Sequence, residues 1–368
     1  MIPFLDEITG QKKVIQSLYQ IFKTGKIPQA LLFVGTEGVG KFFTAIQYLK
    51  LLNYDKISTD SRIERQISAF NEPFVRVIFP IPRGKSESDD NPYNGLSETQ
   101  LSEIKNQLKL KSENPYHKIT ISGGESIKIS SIRDINSFTT LSYENIKYRL
   151  ILIVDAHLMG EEAQNALLKN LEEPPEGIIY ILTTSDENNI LSTIKSRCWK
   201  LSFSSLSNND LINILIRYYN YQYDTIDSVK YFSNGSVTQA IYLLDSQFNL
   251  LLSKTLNILR YSFAGWYNTA FSEFKEILKN SDYELIKIII ILIYTWLNNL
   301  EILRSHGSEN CYEPFIESLI KFNTRYPEVN INKLLTEIDN MLNNLDRNVN
   351  INIVSANIII LLSNFTNN

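Results

Sequence analysis

An unbroken apolar pentapeptide, Ala30-Leu31-Leu32-Phe33-Val34, runs directly into Gly35-Thr36-Glu37-Gly38-Val39-Gly40-Lys41, and helical spacing of apolar residues resumes from Phe42 to Leu52. A buried strand, a glycine-rich turn and a helix in that order form a phosphate loop: backbone N–H groups and the helix N-terminus cradle an anion, and the lysine reaches its outer oxygens. Gly35, Gly38, Gly40 and Lys41 are the candidate binding residues. A glycine turn with an incidental lysine is the bland alternative, and the strand before it and helix after it argue against that. Such a unit commits this part of the chain to an α/β fold.

The loop breaks its own pattern at the next residue. Metal chemistry at a triphosphate needs a side-chain hydroxyl to help hold Mg²⁺, but Phe42 and Phe43 follow the lysine and Thr44 lies too far along the helix. A second departure comes after the apolar run Tyr148 to Val154, which ends in Asp155-Ala156-His157. An acidic pair is needed there, one carboxylate for the metal and one to activate water. If Asp155 is the metal ligand, Ala156 stands at the base position. If Asp155 is the base, Val154 stands at the metal position. In either register one carboxylate is missing, and a lone His157 is a poor substitute.

Around these motifs the pattern alternates. Val14 to Phe22 has helical spacing and stops at Gly25; Glu161 to Leu171 is helical and closes at Glu172-Glu173-Pro174-Pro175; Gly177 to Thr184 is a further strand. Alternating strands and helices predict a parallel sheet flanked by helices. Between residues 56 and 97 the pattern weakens, with only Phe74 to Ile81 strand-like and the polar run Gly84 to Asn94 reading as an exposed loop. A polar helix over Glu98 to Leu110, a Gly123-Gly124 turn and an alternating then helical stretch from Ile127 to Thr140 complete what reads as an insertion, about 53–125, between core elements. Beyond Phe203 the chain reads as all-helical, over Asp210–Tyr219, Val237–Asp245, Leu250–Tyr261, Glu284–Leu303, Ile331–Leu345 and Ile351–Ser363.

Composition narrows the function classes. Lys and Arg number 36 against 40 Asp and Glu, a net charge of -4 that creates no global attraction to nucleic acid. Cys198 and Cys311 are the two cysteines, too few for a disulfide framework or a cysteine-type metal site, which suits a reducing compartment. The start Met1-Ile2-Pro3-Phe4-Leu5-Asp6-Glu7 does not read as a secretory signal. The most apolar run, Leu285 to Leu297, contains Lys287 and is shorter than the ~20 residues a bilayer span requires. A cytoplasmic chain with no membrane association is expected.

One further residue has chemical potential. Thr193-Ile194-Lys195-Ser196-Arg197-Cys198 comes after the third strand, just before the helical half. A guanidinium is planar, permanently charged and suited to bidentate contact with phosphate oxygens, so an arginine at a subunit edge can complete a neighbour's site. An ordinary surface ion pair is the alternative.

Taken together, Ile8-Thr9-Gly10-Gln11, the loop with its leading strand, the string from Glu162 through Asn165-Ala166-Leu167-Leu168-Lys169 to Glu172-Glu173-Pro174-Pro175, and Ser196-Arg197-Cys198 resemble the delta prime subunits of bacterial DNA polymerase III clamp loaders, AAA+ proteins related to the gamma/tau subunits. The resemblance extends from Met1 to about Phe203; Gly235-Ser236-Val237-Thr238-Gln239-Ala240 looks like a lid segment and Arg347-Asn348-Val349-Asn350 like the start of the last collar helix. It implies an AAA+ base over residues 1–203, a helical lid over 204–249 and a helical collar over 250–368 that seals a ring.

It also implies partners: gamma/tau and delta subunits, and the sliding clamp and primed DNA through the assembled complex. Arg197 becomes an arginine finger acting in trans on ATP held by an adjacent subunit. Gly35, Gly38, Gly40, Lys41 and Asp155 become a degenerate nucleotide site, with ATP binding without hydrolysis left open and no cofactor required. No zinc is expected, because the segment 50–117 has no cysteine. Thr238 stands where hydrolysing relatives carry a nucleotide-sensing arginine. An active motor subunit and a purely structural ring subunit are the alternatives.

Overall fold

Strands buried on both faces must be apolar throughout, and β1 (Ala30–Val34) is the central example. A computed structural model describes residues 2–84, 91–140, 146–277, 283–345 and 350–365. In it β1 lies between β4 (Ile178–Thr184) and β5 (Trp199–Ser202), while β3 (Arg149–Ile153) and β2 (Val75–Ile78) complete a five-stranded sheet in the order β2-β3-β4-β1-β5. Every pairing is parallel.

Successive side chains on a strand point to opposite faces, and the two faces build separate cores. Leu31, Phe33, Leu150, Leu152, Ile179 and Ile181 join a cluster with α1 (Lys12–Thr24) and α2 (Lys41–Leu52). Leu32, Ile151, Ile153, Ile178, Tyr180 and Leu182 join another with α8 (Glu161–Glu172). Each fully buried Leu, Ile or Phe contributes on the order of 1.5–3 kcal/mol.

The expected α/β class is therefore the observed one, with differences inside it. Residues 56–97 contain two short helices that weak periodicity concealed: α3 (Tyr54–Thr59) and α4 (Ser61–Ser68). Asp60 caps α4 by accepting from the N–H of Arg62, and Ile63 and Ile67 form its buried stripe. β2 lies within the segment expected as an insertion, yet is an edge strand of the sheet. α5 (Glu98–Glu113) opens with a reciprocal capping box between Ser97 and Gln100. Ile127 bridges Met159, and α6 (Ile129–Arg133) and α7 (Ile135–Thr139) come next. β5 has no clear sequence signal: of its four residues only Leu201 is buried, so its apolar character is a single residue.

The chain divides into two compact units, residues 1–242 and 243–368. α9 (Ser192–Lys195), α10 (Asn208–Tyr219) and α11 (Tyr223–Val229) belong to the first, and α12 (Val237–Asp245) runs through the division. The described elements of the second unit are helical, as expected: α13 (Phe248–Phe263), α14 (Tyr267–Ile277), α15 (Tyr283–His306), α16 (Ile316–Arg325), α17 (Ile331–Leu345) and α18 (Ile351–Asn364), with two 3₁₀ turns before α16.

α15 corrects one expectation. It runs to 24 residues, so the argument that it is too short for a bilayer does not hold. By length and composition the stretch Leu285–His306 could cross a membrane, and 56% of its most apolar window is buried within the protein. Ile286, Ile289, Ile290, Leu292, Ile293 and Leu300 are fully buried, and Trp296 packs in a triangle with Phe263 and Phe322. Arg304 then ties the end of α15 to α16 and the chain after it, donating to Asn323 Oδ1, Val329 O and Tyr326 O at 2.7, 2.8 and 2.8 Å. Residues 85–90 of the expected exposed loop and 347–349 of the expected collar start lie outside the described residues.

Asn53 joins the end of α2 to the start of β3. Its amide donates to Leu49 O and Tyr148 O at 2.9 and 3.0 Å, and its carbonyl accepts from the N–H groups of Lys147 and Tyr148, both at 3.0 Å. Asn53 itself is buried, and orphaning such groups costs about 1–3 kcal/mol. Asn53→Ala is therefore expected to destabilise the first unit by about 2 kcal/mol; an unchanged urea midpoint for that unit would contradict the assignment.

Candidate functional site

The phosphate loop has the expected backbone, and its lysine is turned onto the loop's own carbonyls. Gly35 and Gly38 are required by crowding. A side chain at Gly35 would meet Phe203 O at 2.6 Å, and at Gly38, where φ is +74°, it would meet Thr238 N at 2.6 Å. The start of α12 rests on the loop, Val237 N–H donating to Gly38 O at 3.3 Å. Gln11, from the N-terminal motif, ties the same corner together: its amide donates to Val39 O and Ser204 O, and its carbonyl accepts from Ser204 N–H.

Lys41 is buried and turned inward, donating to Gly35 O at 2.5 Å and Thr36 O at 2.6 Å. Burial pulls its amine down to about 8, against the opposing pull of Asp155 and Glu37. Asp155 comes after β3 in a left-handed conformation, φ 54°. Burial, reinforced by the like charge of Glu37, raises its carboxyl above the usual range, with His157 and Lys41 opposing. The structure thus brings Gly38, Gly40, Lys41 and Asp155 to one cleft, with Thr183 and Thr238. Gly35 lies at its base, linked through Lys41.

The residue set lacks the groups that would help hold magnesium and activate water beside a triphosphate. Phe42 occupies the hydroxyl position, its ring packed edge-on against Phe70; Thr44 Oγ1 is bonded to Gly40 O; Ala156, beside Asp155, is fully buried and carries no base. His157 is a hydrogen-bonded side chain between Thr184 Oγ1 at 3.2 Å and Ser185 Oγ at 3.4 Å. The cleft encloses about 80 Å³, well below the ~300–1,000 Å³ of ordinary small-molecule sites.

Sequence reading overlooked Lys111, which enters the cleft from α5. Its ammonium lies 4.5 Å from the centre of the Phe42 ring and donates to His117 O at 2.6 Å. Burial lowers its pKa to about 7, opposed by Asp155 and Glu37. A signal existed: Ile104, Leu108 and Lys111 share one helical face, so a lysine falls on the inward stripe.

Arg197 stands elsewhere. β1 and β5 are parallel with Leu31 opposite Trp199 and Val34 opposite Ser202. Gly35 lies beyond one end of this paired segment and Arg197 beyond the other, with about 10 Å of strand between the ends. Arg197 cannot serve its own loop. Its side chain is 36% exposed and is held by Glu172 Oε1 at 2.6 Å and by Thr193 O at 3.0 Å. Cys198, by contrast, packs against the apolar cluster under β4, and burial pushes its thiol up to about 12.

The Asn-Ala-Leu-Leu-Lys string explains how Arg197 is set. Gln164, 4% exposed, donates to Met159 O at 3.1 Å and Asn189 O at 3.0 Å and accepts from Leu191 N–H at 2.8 Å, fixing the start of α9. Leu167 and Leu171 bury the same helix against the sheet, and Glu172 at its end meets the guanidinium.

A family model described as "DNA polymerase III, delta subunit" matches residues 10–207. Among curated proteins, the chain is 28% identical over 263 residues to "DNA polymerase III subunit gamma" of Buchnera aphidicola subsp. Schizaphis graminum, covering 69% of this chain and 62% of that protein. It is 23% identical over 245 residues to "DNA polymerase III subunit tau" of Bacillus subtilis, covering 65% and 37%. The chain thus spans about three fifths of the first relative's length and less of the second's. A solved structure of a DNA polymerase III gamma subunit-related protein from Thermotoga maritima aligns over 95% of this chain and 99% of its own, with TM-score 0.41 and 16% identity.

Two outcomes are expected from this geometry. Gln164→Leu removes the partner of three backbone groups, one buried and two part-buried, so a loss of about 1–2 kcal/mol and faster hydrogen exchange over 189–197 should result; exchange unchanged there would contradict its role. For Lys111 the folded pKa of about 7 lies below the unfolded value. Between roughly pH 7 and 10.5 the unfolded chain binds the extra proton, so stability rises with pH across that window. Thermal melts of Lys111→Met should show a smaller rise than the parent chain, the remainder between roughly pH 8 and 10.5 coming from Lys41.

Proposed function

The chain belongs to the DNA polymerase III delta-subunit family, and we propose that it acts within it as a delta prime-type ring subunit of a clamp loader, without turnover of its own and with an arginine that serves a neighbour. The observation that carries this reading is the position of Arg197 at the end of the sheet opposite its own phosphate loop. An exposed guanidinium so placed can meet a triphosphate only if another polypeptide holds it. The lost hydroxyl at Phe42, the buried Ala156 and the inward Lys41 support an idle local site.

In this reading the arginine contributes charge to oxygens of the transferring phosphoryl group, a role worth roughly 10³–10⁵ in rate in other phosphoryl-transfer systems. The exposed Glu172 pair that holds it is worth only about 0–1 kcal/mol, so a neighbour's polyanion can take the guanidinium over. The sheet, α8 and α9 supply a rigid mount. Gamma/tau and delta-type subunits are the proposed partners, with the sliding clamp and primed DNA reached through the assembly.

A motor subunit like the gamma and tau relatives is the second reading, favoured by those names and by the retained Gly38, Gly40 and Lys41. Reconstitution with gamma- and delta-type partners separates the two. Arg197→Ala is expected to lower the complex's DNA-stimulated ATPase by at least about tenfold, and Lys41→Ala by less than about twofold. ATP hydrolysis by the purified chain, lost in Lys41→Ala, would establish the motor instead.

A further inference from the structure

The C-terminal helical unit carries a groove of about 740 Å³ that the reading above does not use. A stacked aromatic pair stands at one side, with the indole of Trp266 as its open member. Tyr261 and Trp266 stack with centroids 5.8 Å apart and planes inclined by 20°, and Trp266 is 60% exposed. An indole so open to water at the mouth of a cleft is a flat apolar surface without a cover.

The groove is also cationic. Arg260 lies 4.7 Å over the Tyr261 ring and donates to its hydroxyl at 2.8 Å, while Lys321 and Arg325 line the facing side. Glu317, paired with Lys321, is the one carboxylate among the lining residues. Three cations against one anion leave a local excess of +2 in a chain whose net charge is -4.

We propose that this groove binds single-stranded nucleic acid, a base stacking on the open face of Trp266 while Arg260, Lys321 and Arg325 meet the flanking phosphates. Single strands present alternating π-faces and negative charges, and proteins that bind them without regard to sequence pair aromatic platforms with a positive track. A wholly apolar protein helix would cover the indole but leave the guanidinium groups unanswered. Duplex DNA keeps its bases stacked internally and offers no face to Trp266. The site is non-specific in sequence, because every base has a face to stack. It is independent of Arg197 and of ATP.

The test uses the full chain and a 5′-fluorescein oligothymidylate of about 20 nucleotides, long enough for one such site, read by fluorescence anisotropy at several salt concentrations. Binding is expected, weakened at least about tenfold by Trp266→Ala and restored towards the parent value by Trp266→Phe. The double substitution Arg260→Gln with Arg325→Gln is expected to flatten the log–log salt slope by about 1.4, at about 0.7 per phosphate contact, a change that Trp266→Ala does not cause. Trp266 and both arginines are exposed, so thermal melts of all variants should overlay that of the parent chain. No binding at tens of micromolar protein in about 50 mM salt, where such contacts are strongest, overturns the proposal. So does binding indifferent to both sets of substitutions. Loss of co-purification with a gamma-type subunit on Trp266→Ala, with oligonucleotide binding intact, also overturns it and assigns the groove to a protein.

Discussion

Parallel pairing of β1 with β5 is the constraint from which the rest of the functional reading descends. A parallel ladder sends both strands the same way, so the residue leaving one strand and the residue entering the other sit at opposite ends of the sheet. Gly35 leaves β1 and Arg197 leads into β5. No rotamer of the arginine can undo that separation, because it is set by backbone register. Had β5 paired antiparallel, the same two residues would have met and the chain would read as self-sufficient.

Around that register the protein uses buried amides as joints. Asn53, Gln11 and Gln164 each serve two or more backbone groups from distant segments. Such side chains are costly unless fully bonded, and once bonded they specify one arrangement. Gln164 secures the turn into α9, Gln11 secures the loop to the chain leaving β5, and Asn53 secures the end of α2 to the start of β3. The motif string around Gln164 is thus a mounting for the arginine loop as well as a helix on the sheet.

The cleft shows the complementary economy. Lys41 and Lys111 are two buried amines with depressed pKa values, facing Asp155 and Glu37. Each amine also donates to a backbone carbonyl. Their charges are answered within the chain, and the Phe42 ring lies against the Lys111 ammonium. Residues 236–238 lie against the same loop. The groove beside Trp266 has the opposite character, with apolar faces and cations left open to solvent.

Much of this was legible in the residues themselves. The apolar runs at 30–34, 148–154 and 177–184 became β1, β3 and β4 because a buried parallel strand needs unbroken apolar character, and the missing hydroxyl at Phe42 is a fact of composition at one position. Short elements with few inward residues were not legible: β5 rests on Leu201 alone, and α4 on Ile63 and Ile67. α15 runs one residue before and three residues beyond the expected Glu284–Leu303, ending just before Gly307. The sequence by itself determined the strand–loop–helix unit, the absence of a hydroxyl at Phe42 and the helical second half. Only the tertiary structure decided that Arg197 faces away from its own loop, that Lys111 lies in the cleft and that Tyr261 meets Trp266. Each of those depends on register or on contact between separate segments, and local periodicity carries neither.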